Sequence, residues 1–181
     1  MKLLQSDKLC TGHCVMDKDL SLLFRYLTHG VYVIGVSHKG KNNAFTAAWI
    51  MQVSFRPLLL ALSINPDHSS YGLLIEGKKF SVNVLPRERL DLAEYFGQPS
   101  YTDKLAGVNW FHCEKGAPVL ADAIAYFECE FSHECNAGDH RLVLGRVVNG
   151  DVLASNAIPM NYRDTGDMDG SSRLFPADFS L

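Results

Sequence analysis

The 181-residue chain predicts a mainly β fold, an antiparallel barrel with a few short helices. Three observations carry this. Val- and Ile-rich or strictly alternating runs dominate the middle of the sequence, the helical patterns are short, and strands and helices do not alternate as a parallel, doubly wound sheet requires. The length fits one compact domain, because a chain of this size buries roughly 70% of its unfolded surface without disulfide support.

The first helical pattern runs from Leu20 to Leu27, with Asp19 or Ser21 available as cap and His29-Gly30 as stop. Val31 to Ser37 has β composition, and the run Lys39-Gly40-Lys41-Asn42 is a turn signal. A second strand is expected from Ala44 to Val53 and a third from Leu58 to Ile64. Arg56-Pro57 separates them, since proline cannot donate to a sheet ladder. Ser69 to Glu76 reads as a helix that opens on hydroxyls and closes at Gly77. Phe80, Val82 and Val84 then alternate with Ser81 and Asn83, the signature of a half-buried strand. In Arg87 to Phe96 the apolar Leu90, Leu92, Ala93 and Phe96 mark a helix that ends at Gly97. Phe127, Cys129 and Phe131 alternate with Glu128, Glu130 and Ser132, and Asn136 to Asp139 turns the chain into a partner strand, His140 to Val148. Residues 1–18 read as an N-terminal extension, 19–165 as the domain, and the polar, Gly-rich 166–181 as a tail.

Composition excludes several functions. Seventeen Lys and Arg against 20 Asp and Glu leave a net charge of −3, whereas a dedicated nucleic-acid binder carries a basic excess. A local pocket for an anionic ligand stays compatible with that charge. The most apolar run, Pro57 to Ile64, falls far short of the ~20 residues a membrane helix needs, and the N-terminus turns polar before a signal-peptide core can form. Five cysteines, an odd number, without a secretion signal read as reduced thiols, so a cytoplasmic location is expected. The Cys10/Cys14 and Cys129/His133/Cys135 spacings match no common metal pairing, and Cys129 falls on an inward face, so no metal is expected. Gly35 to Asn42 (GVSHKGKN) is one residue away from a phosphate loop, but it lacks the hydroxyl that holds the metal ion and joins two strands instead of opening a helix. There is no Gly-x-Ser-x-Gly elbow and no Gly-x-Gly-x-x-Gly.

The informative stretch runs from Asn43 to Asn83. Small and hydroxyl residues at Thr46, Ala47 and Ala48 let a backbone come close to a ligand, and hydroxyls with free N–H groups bind phosphate without net basic charge. Taken singly, each piece has a structural explanation: Thr46 in a strand, a serine cap, Lys79 on a sheet edge. As an ordered set they say more. The runs FTAAWIMQVSFRPLLLALSI and SSYGLLIEGKKFSVNVLP, followed by DKLAGVNW, GAPVL, AYFECEF and GDHRLVLGRV, resemble the flavin reductase-like family of FMN-binding split barrels over roughly residues 20–165.

The resemblance implies a Greek-key split β-barrel, a homodimer, and a flavin held near the subunit interface: FMN, with FAD also open. It further implies NAD(P)H as electron donor and a redox protein as a further partner. Matched position by position, Thr46, Ala47, Ala48 and Trp49 contact the ring edge and ribityl chain, and Val53 and Ser54 lie further along the same strand toward the phosphate. Ser69 and Lys79 neighbour the phosphate or ribityl chain, with Phe80 and Asn83 on the strand that follows. Gly138 and Asp139 form the turn on the nicotinamide side, and His140 orients nicotinamide or screens charge on the reduced ring. Read without the family, His140 is a turn histidine. Two departures stand out: Arg56-Pro57-Leu58 where members commonly have Asp-Pro-Pro, and Ala48-Trp49 where many have Ser or Asn-Ser. The tryptophan is closer to flavoredoxin-like and ferric-reductase-like members. An FMN-bound electron carrier, or a flavin-binding protein without turnover, therefore stays open beside the reductase.

Overall fold

The computed structural model describes residues 20–99 and 103–176. Strands β1 (Tyr32–His38), β2 (Lys41–Ala47), β3 (Ile50–Phe55), β4 (Leu58–Ile64), β5 (Lys79–Val84), β8 (Ala125–Ala137) and β9 (His140–Val152) form one antiparallel sheet in the order β2-β1-β5-β8-β9-β4-β3. A separate two-stranded hairpin joins β6 (Trp110–His112) to β7 (Pro118–Leu120). Helices α1 (Leu20–Phe24), α2 (Tyr71–Gly77) and α3 (Leu90–Gly97) fill the gaps, with 3₁₀ turns at Tyr162–Thr165 and Ser171–Leu174.

The sheet order forces closure. β2 and β3 occupy opposite edges, yet only Ala48 and Trp49 separate them in sequence. Three Cα–Cα steps span at most about 11 Å, whereas the edges of a flat seven-stranded sheet would lie about 29 Å apart. The sheet therefore curls into a barrel whose seam is the Ala48-Trp49 corner. Backbone bonds fix the corner: Ser63 N–H donates to Trp49 C=O (3.0 Å) and Ile50 N–H to Ala48 C=O (3.1 Å).

Alternation sends one set of side chains into the barrel and the other onto its outer face. Inside lie Ile34, Val36, Phe45, Leu62, Phe80 and Cys129 among others. Outside, Val33, Ala44 and Leu85 pack against Leu92, Ala93 and Phe96 of α3 and against Leu105 and Met160. The outer face also carries polar staples. Asn83 Nδ2 donates to Val33 C=O (2.8 Å) while its Oδ1 accepts from Leu120 N–H (2.9 Å), and Ser81 Oγ donates to Pro118 C=O. These bonds hold the β6–β7 hairpin on the barrel.

The single strand expected from Ala44 to Val53 is in fact two, β2 and β3, broken at the corner and separated across the whole sheet. Hydrophobic alternation cannot reveal a bend that changes edges, because both halves keep period 2. β5 sits between β1 and β8, so Lys79 opens a central strand, not an edge. β6 and β7, three residues each, carry no pattern long enough to read. Within the described part of the tail, Phe175 packs its ring on Phe24 of α1, centroids 5.2 Å apart. Asp19, Cys10, Cys14 and the expected N-terminal extension lie outside the described residues.

Gly145 on β9 is required by the barrel interior. A Cβ there would overlap the Phe80 ring, which is wholly buried and has nowhere to retreat. Overpacking of this kind costs about 1–3 kcal/mol. Gly145→Ala should therefore lower Tm by roughly 3–10 °C in a thermal melt, and Gly145→Ala with Phe80→Leu should recover part of the loss. An unchanged Tm in Gly145→Ala would show that the interior is not packed around Phe80.

Candidate functional site

The corner gathers one group of the expected site residues. Trp49 is 46% exposed, and its ring lies 5.1 Å, centroid to centroid, from the imidazole of His140. His140 arrives from the tip of the long β8–β9 hairpin, where Ala137 pairs with His140 across Gly138-Asp139. Gly138 has φ +71°, the left-handed value demanded at the first central position of a type II′ turn. Asp139 Oδ1 lies 2.9 Å from His140 Nδ1 and accepts its proton, and this bond holds the Asp139 carboxyl below the usual carboxylate range. The bond also sets the tautomer. A neutral His140 keeps its proton on Nδ1, so Nε2 is an acceptor; only the imidazolium donates from Nε2.

Trp49 also lines an apolar cavity of about 180 Å³ with Phe24, Leu27, His29, Tyr162 and Phe175. The back of this cavity is tied down by the bond from Tyr162 N–H to His29 C=O (2.8 Å). A planar ring entering here meets aromatic surface on one side and His140 next to it.

A second group lies along β2 and the end of α3. Thr46 Oγ1 donates to Ala93 C=O (2.7 Å), so its hydroxyl proton is committed and only its lone pairs face a ligand. Asn43 Nδ2 donates to Ser70 Oγ (3.0 Å), and Ser70 N–H donates to His68 Nδ1 (3.1 Å). His68 packs on Phe45, ring centroids 4.5 Å apart. Burial, and then the charge of Lys104, hold the His68 pKa below its ordinary value, so the ring is neutral with its proton on Nε2. Lys104 is 6% exposed, and its Nζ donates to Phe96 C=O (2.8 Å) and to Gln98 C=O at the end of α3. Two of its three protons close the helix. Among the described residues no carboxylate pairs with it. Burial without a counter-ion lowers its pKa, as desolvation of an ammonium must. The third Lys104 proton and His68 Nε2–H are donors that suit a phosphate, whereas Ser70 is wholly buried behind them.

Other expected residues take structural positions. Phe80 is wholly buried in the barrel, and Asn83 is wholly buried with its amide committed to Val33 and Leu120, so neither reaches a ligand surface. Lys79 faces the Gly116 turn on the outer face: its Nζ lies 3.2 Å from where a Gly116 Cβ would stand. Ser69 is exposed, whereas its neighbour Ser70 points inward. Val53 is the bulged residue of β3, because the register shifts between Gln52 and Ser54, and it is exposed beside a half-buried Ser54. At about 3.3 Å per residue, Ser54 stands roughly 16 Å down β3 from Trp49. It does not continue the β2 surface. Ala47 and Ala48 are half-buried at the corner itself.

Sequence reasoning singled out Ser69-Ser70 and the stretch from Asn43 but missed His68 and Lys104. The available signal was a lysine just beyond the end of α3, in the stretch Asp103-Lys104-Leu105, where a cation caps carbonyls. Cys113 and Cys129 are buried, and burial pushes their thiols up to about 11 and about 12, so they pack as hydrophobes and are not nucleophiles.

The family model described as a flavin reductase like domain matches residues 24–170. Diflavin flavoprotein A 1 of Synechocystis sp. is 29% identical over 156 residues, which cover 84% of this chain and 27% of that protein. High molecular weight rubredoxin of Moorella thermoacetica is 34% identical over 140 residues, 75% of this chain and 61% of that protein. The solved NADH:FAD oxidoreductase of Streptomyces globisporus superposes with a TM-score of 0.74 at 27% identity, covering 81% of this chain and 88% of that one. The chain spans about a quarter of the length of the diflavin relatives it matches.

The Lys104 and His68 donors make a direct prediction. Lys104→Met should weaken FMN about 10- to 100-fold, the loss of one charge-assisted hydrogen bond, and change riboflavin affinity far less, since riboflavin has no phosphate. Lys79→Met should leave the ratio of the two affinities unchanged. Fluorescence titration with both ligands reads the difference, and equal losses for FMN and riboflavin in Lys104→Met would limit Lys104 to closing α3.

Proposed function

The chain belongs to the flavin reductase-like family, and we propose that it is a flavin-binding oxidoreductase that takes a hydride from NAD(P)H beside Trp49 and passes the electrons to a further redox protein. The observation that carries this reading is the meeting of Trp49 and His140. The barrel seam and the tip of a 13-residue hairpin converge on one aromatic cavity.

The redox chemistry, acceptance of a hydride, is the flavin's own. The chain's residues bind, orient and exclude water. Thr46, Ala47 and Ala48 would bring backbone close to the ring edge, and the Lys104 and His68 donors would suit a single terminal phosphate, which favours FMN. Trp49 offers an apolar plane at the cavity mouth. His140, fixed by Asp139, accepts from the nicotinamide amide through Nε2 when neutral and sets a positive charge beside the ring when protonated. Nothing in this step needs a protein acid or base, so the thiols and carboxylates of the barrel stay out of it.

We further propose a homodimer in the cytoplasm. β3 is an edge strand with Met51, Val53 and Phe55 exposed, Phe55 by 84%, an apolar edge that a second copy would cover. Cys113, Cys129 and Cys135 are free thiols, in keeping with a reducing compartment. The diflavin and rubredoxin relatives favour a second reading, in which the chain carries electrons for a protein partner and has little affinity for free nicotinamide.

Anaerobic titration of the FMN-loaded protein separates the two. NADH or NADPH should bleach the flavin band promptly. His140→Ala should retain the flavin and slow this reduction about tenfold, the worth of one hydrogen bond of about 1.4 kcal/mol in the transition state, while dithionite reduces both proteins alike. A wild-type protein that dithionite bleaches and nicotinamides do not would establish the carrier. A wild-type rate in His140→Ala would return the residue to the turn.

A further inference from the structure

The imidazole that meets Trp49 is carried on a hairpin whose end lies outside the sheet. β5 pairs with β8 only from Ala125 to Glu130, and β4 pairs with β9 only as far as Arg141. Beyond those rungs no strand among the described residues pairs with the outer edge of β8, and Gly138, Asp139 and His140 project past both neighbours. The register also shifts between Phe131 and His133, a bulge that lets the last rungs bend relative to the barrel. Pairing within the hairpin therefore does not by itself fix where its tip points.

Helix α2 lies along that edge in place of a strand. At its C-terminal end Lys78, in a left-handed cap (φ 55°), accepts from Phe131 N–H through its C=O (2.9 Å). The same residue sets its Nζ 3.9 Å from the centre of the Phe131 ring. At the N-terminal end Tyr71 Oη donates to Glu134 Oε2 (2.8 Å). The spans match, since seven residues of helix rise about 10 Å and three residues of strand cover about the same. α2 is itself seated in the barrel, with Leu74 wholly buried and Asn43 Nδ2 bonded to Ser70 Oγ just before it. Glu134 is half-buried, whereas its neighbours Ser132, His133, Cys135, Asn136 and Ala137 are exposed. Burial, then the bond and charge of Glu134, hold the Tyr71 hydroxyl above the usual phenol range against the opposing charge of Arg141. The donor thus keeps its proton.

We propose that Tyr71 and Glu134 are positioning residues that brace the hairpin tip and hold His140 against Trp49, an inference that rests on the reductase reading above. Glu134 stands opposite Val143, three rungs from the Ala137–His140 pair, so a tether there reaches the tip through a short stretch of ladder. With the brace intact, the imidazole keeps its 5.1 Å from the Trp49 ring. Without it, the tip pivots at the bulge and His140 spends less time beside the cavity. Neither Tyr71 nor Glu134 lines that cavity, so both act through His140.

Trp49 emission reads the brace. An imidazolium in contact with an indole quenches it, and histidine titrates between about pH 5 and 8. Trp110→Phe is the background, because the Trp110 ring lies 4.8 Å from His112 and would add a signal of its own. His29, Arg25 and Asp167 share the cavity with Trp49, and Asp139 bonds His140. The signal that counts is therefore the part of the pH-dependent quench that His140→Ala removes. Tyr71→Phe and Glu134→Ala should each lose most of that part, and Glu134→Gln, whose amide oxygen still accepts from Tyr71, should keep it. In the FMN-loaded chain, Tyr71→Phe should slow anaerobic reduction at saturating NADH or NADPH about 3- to 10-fold, the size of one hydrogen bond. It should slow His140→Ala no further, since the two changes act through one group.

A full quench in Tyr71→Phe would overturn the proposal, as would a wild-type quench that His140→Ala leaves intact. Equal slowing by Tyr71→Phe with and without His140 would also overturn it, and would mark the bond as a support of the fold alone. The two readings fail separately. A quench lost in Tyr71→Phe, in a protein whose flavin neither nucleotide bleaches, refutes the reductase and leaves the brace. Prompt bleaching with a full quench in Tyr71→Phe refutes the brace alone.

Discussion

Two residues of chain join the opposite edges of a seven-stranded sheet, and most of the molecule follows from that short tether. Ala48 and Trp49 cannot span a flat sheet, so the sheet must close. Closure puts Phe45, Phe80 and Val82 inside and leaves the outer face to α3 and the β6–β7 hairpin. It also leaves a seam where the strand-to-strand ladder is interrupted and a large aromatic side chain projects. A site at such a seam needs little further architecture, because the strands that flank it are already rigid.

Charge is handled locally. A chain of net charge −3 has no surface field to draw an anionic cofactor, and its compensation lies in a few placed cations. Lys104 is the clearest: buried, capping α3 with two protons, and next to His68, which it helps to keep neutral. A cation without a carboxylate partner is costly to bury, and an incoming phosphate would offset that cost. On the proposed reading, the end of α3 is both a helix terminus and half of an anion site, with one ammonium serving the two.

The fold class was legible because period-2 patterns and turn signals survive in each strand, and the Gly138-Asp139 turn showed where the long hairpin reverses. The β2–β3 break was not legible, since a change of edge preserves the alternation on either side of it. Among site residues, Trp49 and His140 could be named but not joined: they are 91 positions apart, and only the barrel brings their rings to 5.1 Å. Lys79 was chosen for its place before a strand, and the structure turns it to the Gly116 face. Lys104 passed unnoticed because its partners are carbonyls, which every residue has. Phe80 and Asn83 lie in the family's motif for packing and for hydrogen bonds that hold β7, a reminder that a motif marks a fold as often as it marks a site.

The central claim, that the Ala48-Trp49 seam is the flavin's seat, has a direct optical test. The chain has two tryptophans, Trp49 and Trp110, so Trp110→Phe leaves Trp49 as the sole indole emitter. A ring bound at the corner quenches that emission by contact and energy transfer. Titration of Trp110→Phe with FMN should extinguish most of the Trp49 fluorescence and reach its end point at one FMN per chain. FMN retained at one per chain with Trp49 emission unchanged would place the flavin elsewhere and contradict the account.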